Sequence, residues 1–486
     1  MAAAAQEPPD AAALYREHCS ECHGAGRLGA MGPALLPQNL KRLSRNRAAE
    51  VIRNGAPATQ MPAFHDRLDS AAIDSLVEYI YTPLKRIPAW GVEQMRASHV
   101  VYHPPGSLPP KPRFSADLQN LFVVVELGDH HATLLDGDTF TPIHRFPTRF
   151  ALHGGPKYSN GGRYVFFASR DGWISKFDIY NLEYVAEIRA GINSRNVAVS
   201  ADGRYVMVAN YLPHTLVLLD GSDLAPLRII PASDGNGHSS RVSAVYAAEP
   251  RNSFIVALKD IPELWEIPYP ADAARAGAGP LPIRRIRTSS YLDDFFINQE
   301  YTLVIGTSRD GSSQVVDLEQ GKVTHTLDLP GMPHLGSGIS WIYRGRPVLA
   351  TPNMKHGIVS VVDMTSWKTI RRIETLGPGF FMRSHENTPY AWVDVFFGPN
   401  RDAVHVIDKR TLEIVKTLRP APGKTSAHVE FTRDGTRALL SIWDPDGAVI
   451  VYDSRTLKEL KRIPMRKPSG KYNVHNKLSR SAGTSH

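Results

Sequence analysis

Cys19 and Cys22 are the only cysteines among 486 residues, and they fall in the run Cys19-Ser20-Glu21-Cys22-His23. Cys-x-x-Cys-His is the attachment signature of a c-type haem. Each thiol can form a thioether with a porphyrin vinyl group, and the histidine directly after the second cysteine is placed to ligate the iron. The same cysteines could also serve as a dithiol redox couple or as half of a zinc site. A zinc site wants four ligands and a thioredoxin-like couple wants a βαβ frame, and neither surrounds this run. One covalent haem c held by Cys19, Cys22 and His23 is the expectation.

A small helical domain over residues 11–85, after a tail at 1–10, must carry that group. Leu14, His18 and Cys19 open an amphipathic helix that breaks at Gly24, and Ile73, Leu76, Val77 and Ile80 line one face of a helix over 70–81 capped by Asp69 or Ser70. Residues 86–113 hold Pro88, Pro104, Pro105, Pro109, Pro110 and Pro112, which makes them a stiff linker or a strap on the next domain. From residue 114 to 486 the pattern changes to period-two strands in repeating units, plainest at Ser200-Ala201-Asp202-Gly203-Arg204 and the strand after it. Similar units begin near Phe114, Tyr158, Val199, Val242, Phe295, Arg346, Thr388 and Phe431. Units of roughly 30–45 residues with Asp-Gly turns and no helical pattern predict an all-β, eight-bladed propeller behind the all-α domain.

Equivalent blades place equivalent residues at one mouth of the central axis. The positions before the turns are His153, Arg195, Arg241, His334, His385 and His428. Four histidines and two arginines from separate blades suit a large planar cofactor bearing carboxylates, since histidine ligates metals and moves protons while arginine clamps carboxylates.

Composition bounds the rest. With 42% hydrophobic and 21% charged residues, the chain can bury a sizeable core. No run of about 18 apolar residues predicts a membrane span. Residues 1–10 lack a basic segment followed by an apolar one, so they read as a mature or recombinant start. The net charge of +8 lies in the last 32 residues, which hold nine Lys or Arg against the single acid Glu459. That distribution reads as a solvated basic tail rather than a nucleic-acid surface.

Residues 11–85 resemble a class I cytochrome c, a likeness that implies Met61 as the sixth iron ligand; Met31 is the competing methionine. The whole plan resembles cytochrome cd1 nitrite reductase and its relatives. Phe150-Ala151-Leu152-His153 is similar to the segment with the proximal ligand of haem d1, and Met332-Pro333-His334 and Phe381-Met382-Arg383-Ser384-His385 to those with the reductase's distal histidines. Gly470-Lys471-Tyr472-Asn473-Val474 resembles the closing strand. His428 before Val429-Glu430-Phe431, Tyr472 in place of phenylalanine and the compact N-terminal domain depart from the reductase. They resemble the branch of the family that completes haem d1 by dehydrogenating dihydro-haem d1.

That resemblance implies several roles. His153 ligates the d1 iron, with Tyr472 or His334 on its other face, in that order. Arg195 and Arg241 hold carboxylates, and His385 contributes to cofactor binding. His428 acts as the base, and the c haem receives electrons bound for a periplasmic acceptor. Nitrite reduction and a non-catalytic haem d1 carrier are the alternatives. The expected partners are dihydro-haem d1, that acceptor and other proteins of haem d1 assembly, including nitrite reductase, and the expected compartment is the periplasm.

Overall fold

A computed structural model describes residues 9–30, 32–41, 43–56, 61–86, 88–270 and 281–479. Met31 and Arg480 lie outside them. Helices α1 (Ala11–His18) and α2 (Ser20–His23) carry the Cys-x-x-Cys-His run, followed by α3 (Pro37–Leu40), α4 (Arg45–Asn54) and α5 (Ser70–Tyr81). Asp69 caps α5 by accepting from the Ala72 N–H, which satisfies an amide that the helix start leaves free. Ile73, Leu76, Val77 and Ile80 are all buried on its inner face, as the spacing predicts.

The linker is a strap. Helix α6 (Val92–Ser98) buries Met95 against blade 2, and the short strand Val100–Val101 pairs with the outer strand Glu183–Arg189. That pairing covers one exposed sheet edge. Trp90 Nε1 anchors the strap by donating to the Arg189 carbonyl at 2.8 Å.

Eight antiparallel sheets follow, seven of four strands and one extended to five by the strap. Their first, innermost strands are Lys157–Tyr158, Asn193–Val199, Val242–Ala248, Asp294–Ile297, Ile339–Tyr343, Met382–Ser384 and Ser426–Phe431 in blades 2 to 8. Middle strands such as Leu121–Glu126 are buried along their whole length because both faces pack on neighbouring blades, whereas fourth strands such as Glu413–Leu418 are largely exposed.

Blade 1 is assembled from both ends of the propeller: Pro468–Asn473 pairs with Leu121–Glu126, in register from Phe122 opposite Asn473 to Val125 opposite Gly470. The basic C-terminal segment is therefore not a solvated tail over its described length. Residues 459–478 form the last outer strand, the closing strand and helix α7 (Val474–Leu478), and Lys471 is fully buried. Net charge does not report burial here because a ring must be closed by whatever sequence ends it. A chain truncated after Arg466 will lose its cooperative thermal transition in circular dichroism. A sharp transition within ~4 °C of the full-length chain would show the closing strand to be dispensable.

Candidate functional site

Side chains at the entry ends of the inner strands, and at the turns joining second and third strands, form a closed circle of contacts round one mouth of the axis. His153, before the inner strand of blade 2, donates Nδ1–H to the Arg195 carbonyl at 2.7 Å, and its Nε2 meets Arg195 Nη1 at 2.8 Å. Arg195 and Arg241 both stand over the Tyr211 ring, at 6.0 and 5.7 Å. Lys259 follows, 5.9 Å from Tyr211 and from Tyr291, with its backbone N–H bonded to the Arg241 carbonyl. Lys259 pairs with Asp293, which also accepts from Arg309 Nε at 2.6 Å.

The next residue, Asp294, reaches His334 Nε2 at 3.7 Å. His334 stacks on Phe380 at 4.0 Å and stands 6.1 Å from Phe381. Phe381 touches His428 at 4.8 Å, and His428 touches Tyr472 at 5.1 Å. Tyr472 lies against Gly155, where a Cβ would approach the ring to 2.8 Å, and Gly155 is two residues from His153.

The circle has two halves. Blades 2 to 5 present Arg170, Arg195, Arg241, Lys259 and Arg309, and Lys41 of the N-terminal domain joins their field. Burial, then the charges of Arg309, Arg241, Arg170 and Arg195, hold the Lys41 amine below its ordinary value. Burial, then Arg309, Arg241, Arg195 and Lys41, bring Lys259 to about 7. Blades 7 and 8 present Phe380, Phe381, Phe396 and Trp443, with Phe396 and Trp443 at 5.0 Å. A flat apolar body with carboxylates along one edge matches that division, apolar surface against rings and anions against cations.

His428 is clamped. It sits at a bulge of the inner strand Ser426–Phe431 with φ +56°, a left-handed conformation costly for a histidine. Its N–H faces Asp394 Oδ2 at 3.4 Å, and its carbonyl accepts from Lys471 Nζ, which also donates to Ser441 Oγ at 2.9 Å. Burial, then the charges of Lys471, Arg383 and Lys477, hold its imidazole far below the ordinary value, so it is neutral near pH 7. Its Nδ1 is buried with no hydrogen-bond partner among the described residues. Burial keeps Tyr472 a phenol by pushing its hydroxyl up to about 12.

His385 is the expected site residue that the fold sends elsewhere. Inner strand Met382–Ser384 is three residues long, so Phe381 stands at its entry and His385 at its exit. There His385 is buried 6.2 Å from Phe431, against the Gly435 turn, and its carbonyl accepts from Lys409 Nζ. Arg241 reaches the mouth but is held by Asp260, Nε to Oδ2 at 2.9 Å.

In the N-terminal domain, Cys19 and Cys22 are half-buried and are not joined to each other. His23 is buried and donates Nδ1–H to the Pro33 carbonyl at 2.8 Å, which leaves the Nε2 lone pair for iron. Cys19 and Met61 pack on the same apolar cluster built from Tyr15, Leu40, Phe64 and Leu76. These groups fit a covalent haem with His23 on one face.

Residues 116–477 match the family described as cytochrome D1 heme domain. The chain belongs to the cytochrome D1 heme domain family. Residues 6–80 match a second family, described as cytochrome C oxidase, cbb3-type, subunit III. The chain is similar over its whole length to a Pseudomonas aeruginosa protein named dihydro-heme d1 dehydrogenase, 56% identical over 487 residues that cover 100% of this chain and 97% of the relative. A Stutzerimonas stutzeri nitrite reductase is 25% identical over 535 residues, covering 98% and 94%. A solved structure of dihydro-heme d1 dehydrogenase NirN in complex with DHE superposes with a TM-score of 0.93 at 57% identity, covering 96% of this chain and 99% of that one.

Lys41 of the N-terminal domain and, within the cytochrome D1 heme domain, Arg170, Lys259, Arg309 and Asp394 escape a reading of first strands alone. A signal for some of them exists. Ser169-Arg170-Asp171-Gly172 and Ser308-Arg309-Asp310-Gly311 repeat one another, and Lys259-Asp260 occupies the same turn of blade 4. Turns between second and third strands open on the same mouth as the entries of first strands, so they supply half of the circle.

Two outcomes follow from the clamp. Burial raises the Asp394 carboxyl to about 7 against the N–H bonds from Phe380, Phe381 and His428 that favour its ionised form. The folded chain therefore binds a proton there between about pH 4 and pH 7 that the unfolded chain has released, and this contribution to stability declines as pH rises across that window. Asp394→Asn will remove a slope of up to about 1.4 kcal/mol per pH unit from urea unfolding between pH 5 and 7. An unchanged slope would place the proton elsewhere. Lys471→Met will lower the unfolding free energy by roughly 1–3 kcal/mol, by leaving the buried His428 carbonyl without its donor.

Proposed function

We propose that this chain converts dihydro-haem d1 to haem d1 at the mouth of the propeller, oxidising one propionate side chain to an acrylate. The carrying observation is the buried, neutral His428, whose Nδ1 has no partner among the described residues, set on the aromatic half of a circle whose other half is cationic. The dehydrogenase relative and the NirN structure support the same reading.

Forming the carbon–carbon double bond removes two electrons and two protons from the side chain. A proton on carbon leaves only to a positioned base, and His428 is held rigid and uncharged for that task. His153 has its proton on Nδ1, bonded to the Arg195 carbonyl, so Nε2, which here meets Arg195 Nη1, would be the nitrogen offered to the substrate iron. Tyr472 would come before His334 as the contact on the other face, because it lies against His428, whereas His334 is engaged with Phe380 and Asp294. Arg195, Arg241, Lys259 and Arg309 hold the substrate carboxylates, and Lys41 adds charge from the N-terminal domain.

The covalent haem supplies a one-electron acceptor with reversible chemistry. Cys19, Cys22 and His23 would hold it, and Met61, on the same apolar cluster as Cys19, would supply a further iron ligand. An external one-electron carrier takes the electrons onward. The compartment is the periplasm, where haem attachment of this type takes place.

The test is anaerobic incubation of the oxidised holoprotein with dihydro-haem d1, following the extracted macrocycle by mass spectrometry and the c haem by absorbance. Loss of two hydrogens coupled to c-haem reduction is expected. An unchanged macrocycle with nitrite turnover would assign the chain to nitrite reduction, and neither activity would leave a carrier. His428→Ala will keep the c haem and bind the macrocycle while slowing dehydrogenation by about 10²–10⁴-fold. Full turnover by that variant would remove His428 from the reaction.

A further inference from the structure

Two backbone amides connect His23 to a buried ion pair in the propeller. The Pro33 carbonyl that accepts from His23 Nδ1–H belongs to the same amide as the Ala34 N–H, and that N–H donates to Asp171 Oδ1 at 2.9 Å. The His23 carbonyl accepts from the Gly29 N–H at 2.9 Å, and the carbonyl of that same amide, Leu28, accepts from Arg189 Nη2 at 2.6 Å. Arg189 Nη1 also donates to the Gly29 carbonyl at 3.2 Å, and Nε to the Asp171 carbonyl at 2.9 Å. Asp171 and Arg189 stand 3.6 Å apart with 3% of each side chain exposed. Asp171 Oδ2 is buried and has no hydrogen-bond partner among the described residues.

The glycines fit this arrangement. A Cβ on Gly29 would stand 2.9 Å from Arg189 Nη2, and one on Gly32 would stand 2.8 Å from His23 Cε1. Neither approach leaves room for a larger residue.

We propose that Asp171 and Arg189 set the reduction potential of the covalent haem, acting through these two amides on its iron ligand His23. An amide whose N–H is bonded to a carboxylate is polarised and becomes a stronger acceptor at its carbonyl. A stronger acceptor at Nδ1–H makes the imidazole a more basic ligand and favours oxidised iron. Asp171 thus lowers the potential, by its bond and by its charge, and Arg189, a buried cation, raises it. The pair belongs to blade 2, so the potential is a property of the docked domain.

The measurement is a redox titration of the intact holoprotein without substrate, followed by c-haem absorbance. Asp171→Asn keeps an acceptor for the Ala34 N–H but removes the charge. It should move the reduction equilibrium roughly tenfold toward reduced haem, about 59 mV for one electron. Arg189→Gln should move it the opposite way. If one variant fails to fold, the sign of the other decides. Potentials within about twofold of the parent equilibrium, or shifts of the same sign in both variants, would overturn the proposal. The proposal rests on covalent haem at Cys19 and Cys22, so haem that leaves the denatured chain would overturn that attachment instead.

Discussion

The hydrogen-bond ladder between Pro468–Asn473 and Leu121–Glu126 holds the ring shut, and everything at the mouth depends on it. Without it blade 1 has no inner strand and Leu121–Glu126 becomes an unpaired edge, so the ring is free to open. Closure brings Tyr472 beside His428 and Gly155, and it buries Lys471 where its ammonium can hold the His428 carbonyl. One strand therefore does two jobs. It satisfies a sheet edge and it completes the site.

The mouth is divided by electrostatics. Burial, together with the cations crowded on blades 2 to 5, brings Lys259 to about 7. This crowding is offset only in part by Asp260 and Asp293, and like charges that share a buried site oppose one another's ionisation. The carboxylates of the proposed substrate relieve it, so binding and orientation come from one interaction. The other half lines the mouth with aromatic rings, which suit the apolar body of a ring, and keeps Asp394 and Lys471 buried behind them.

The N-terminal domain is seated by contacts that are mostly polar and specific. Asn39 Nδ2 donates to the Ile192 carbonyl, Ala34 to Asp171, and Arg189 to Leu28 and Gly29, around a small apolar patch of Leu36, Ile192 and Leu212. A redox domain docked by buried hydrogen bonds has a fixed position relative to the mouth, which electron transfer requires. The strap with Trp90 and Met95 holds the same face of blade 2 from the other side.

The chain by itself determined what is covalent or periodic. Cys19-Ser20-Glu21-Cys22-His23 needs no fold to declare a haem, because thioether chemistry and ligation reside in five consecutive residues. Eight units of alternating strands declare a ring, because a blade is a local pattern. The first-strand entries His153, Arg195, Arg241, His334 and His428 were legible for the same reason. Tertiary structure alone decided what depends on where a strand ends and on which turns share a mouth. It sent His385 to the far end of a three-residue strand, turned a basic tail into a closing strand, and added Lys259, Arg309 and Asp394 from turns and second strands. It also joined His23 to Asp171 through one amide. No spacing encodes that contact, because residues 148 positions apart meet only when one domain docks on another.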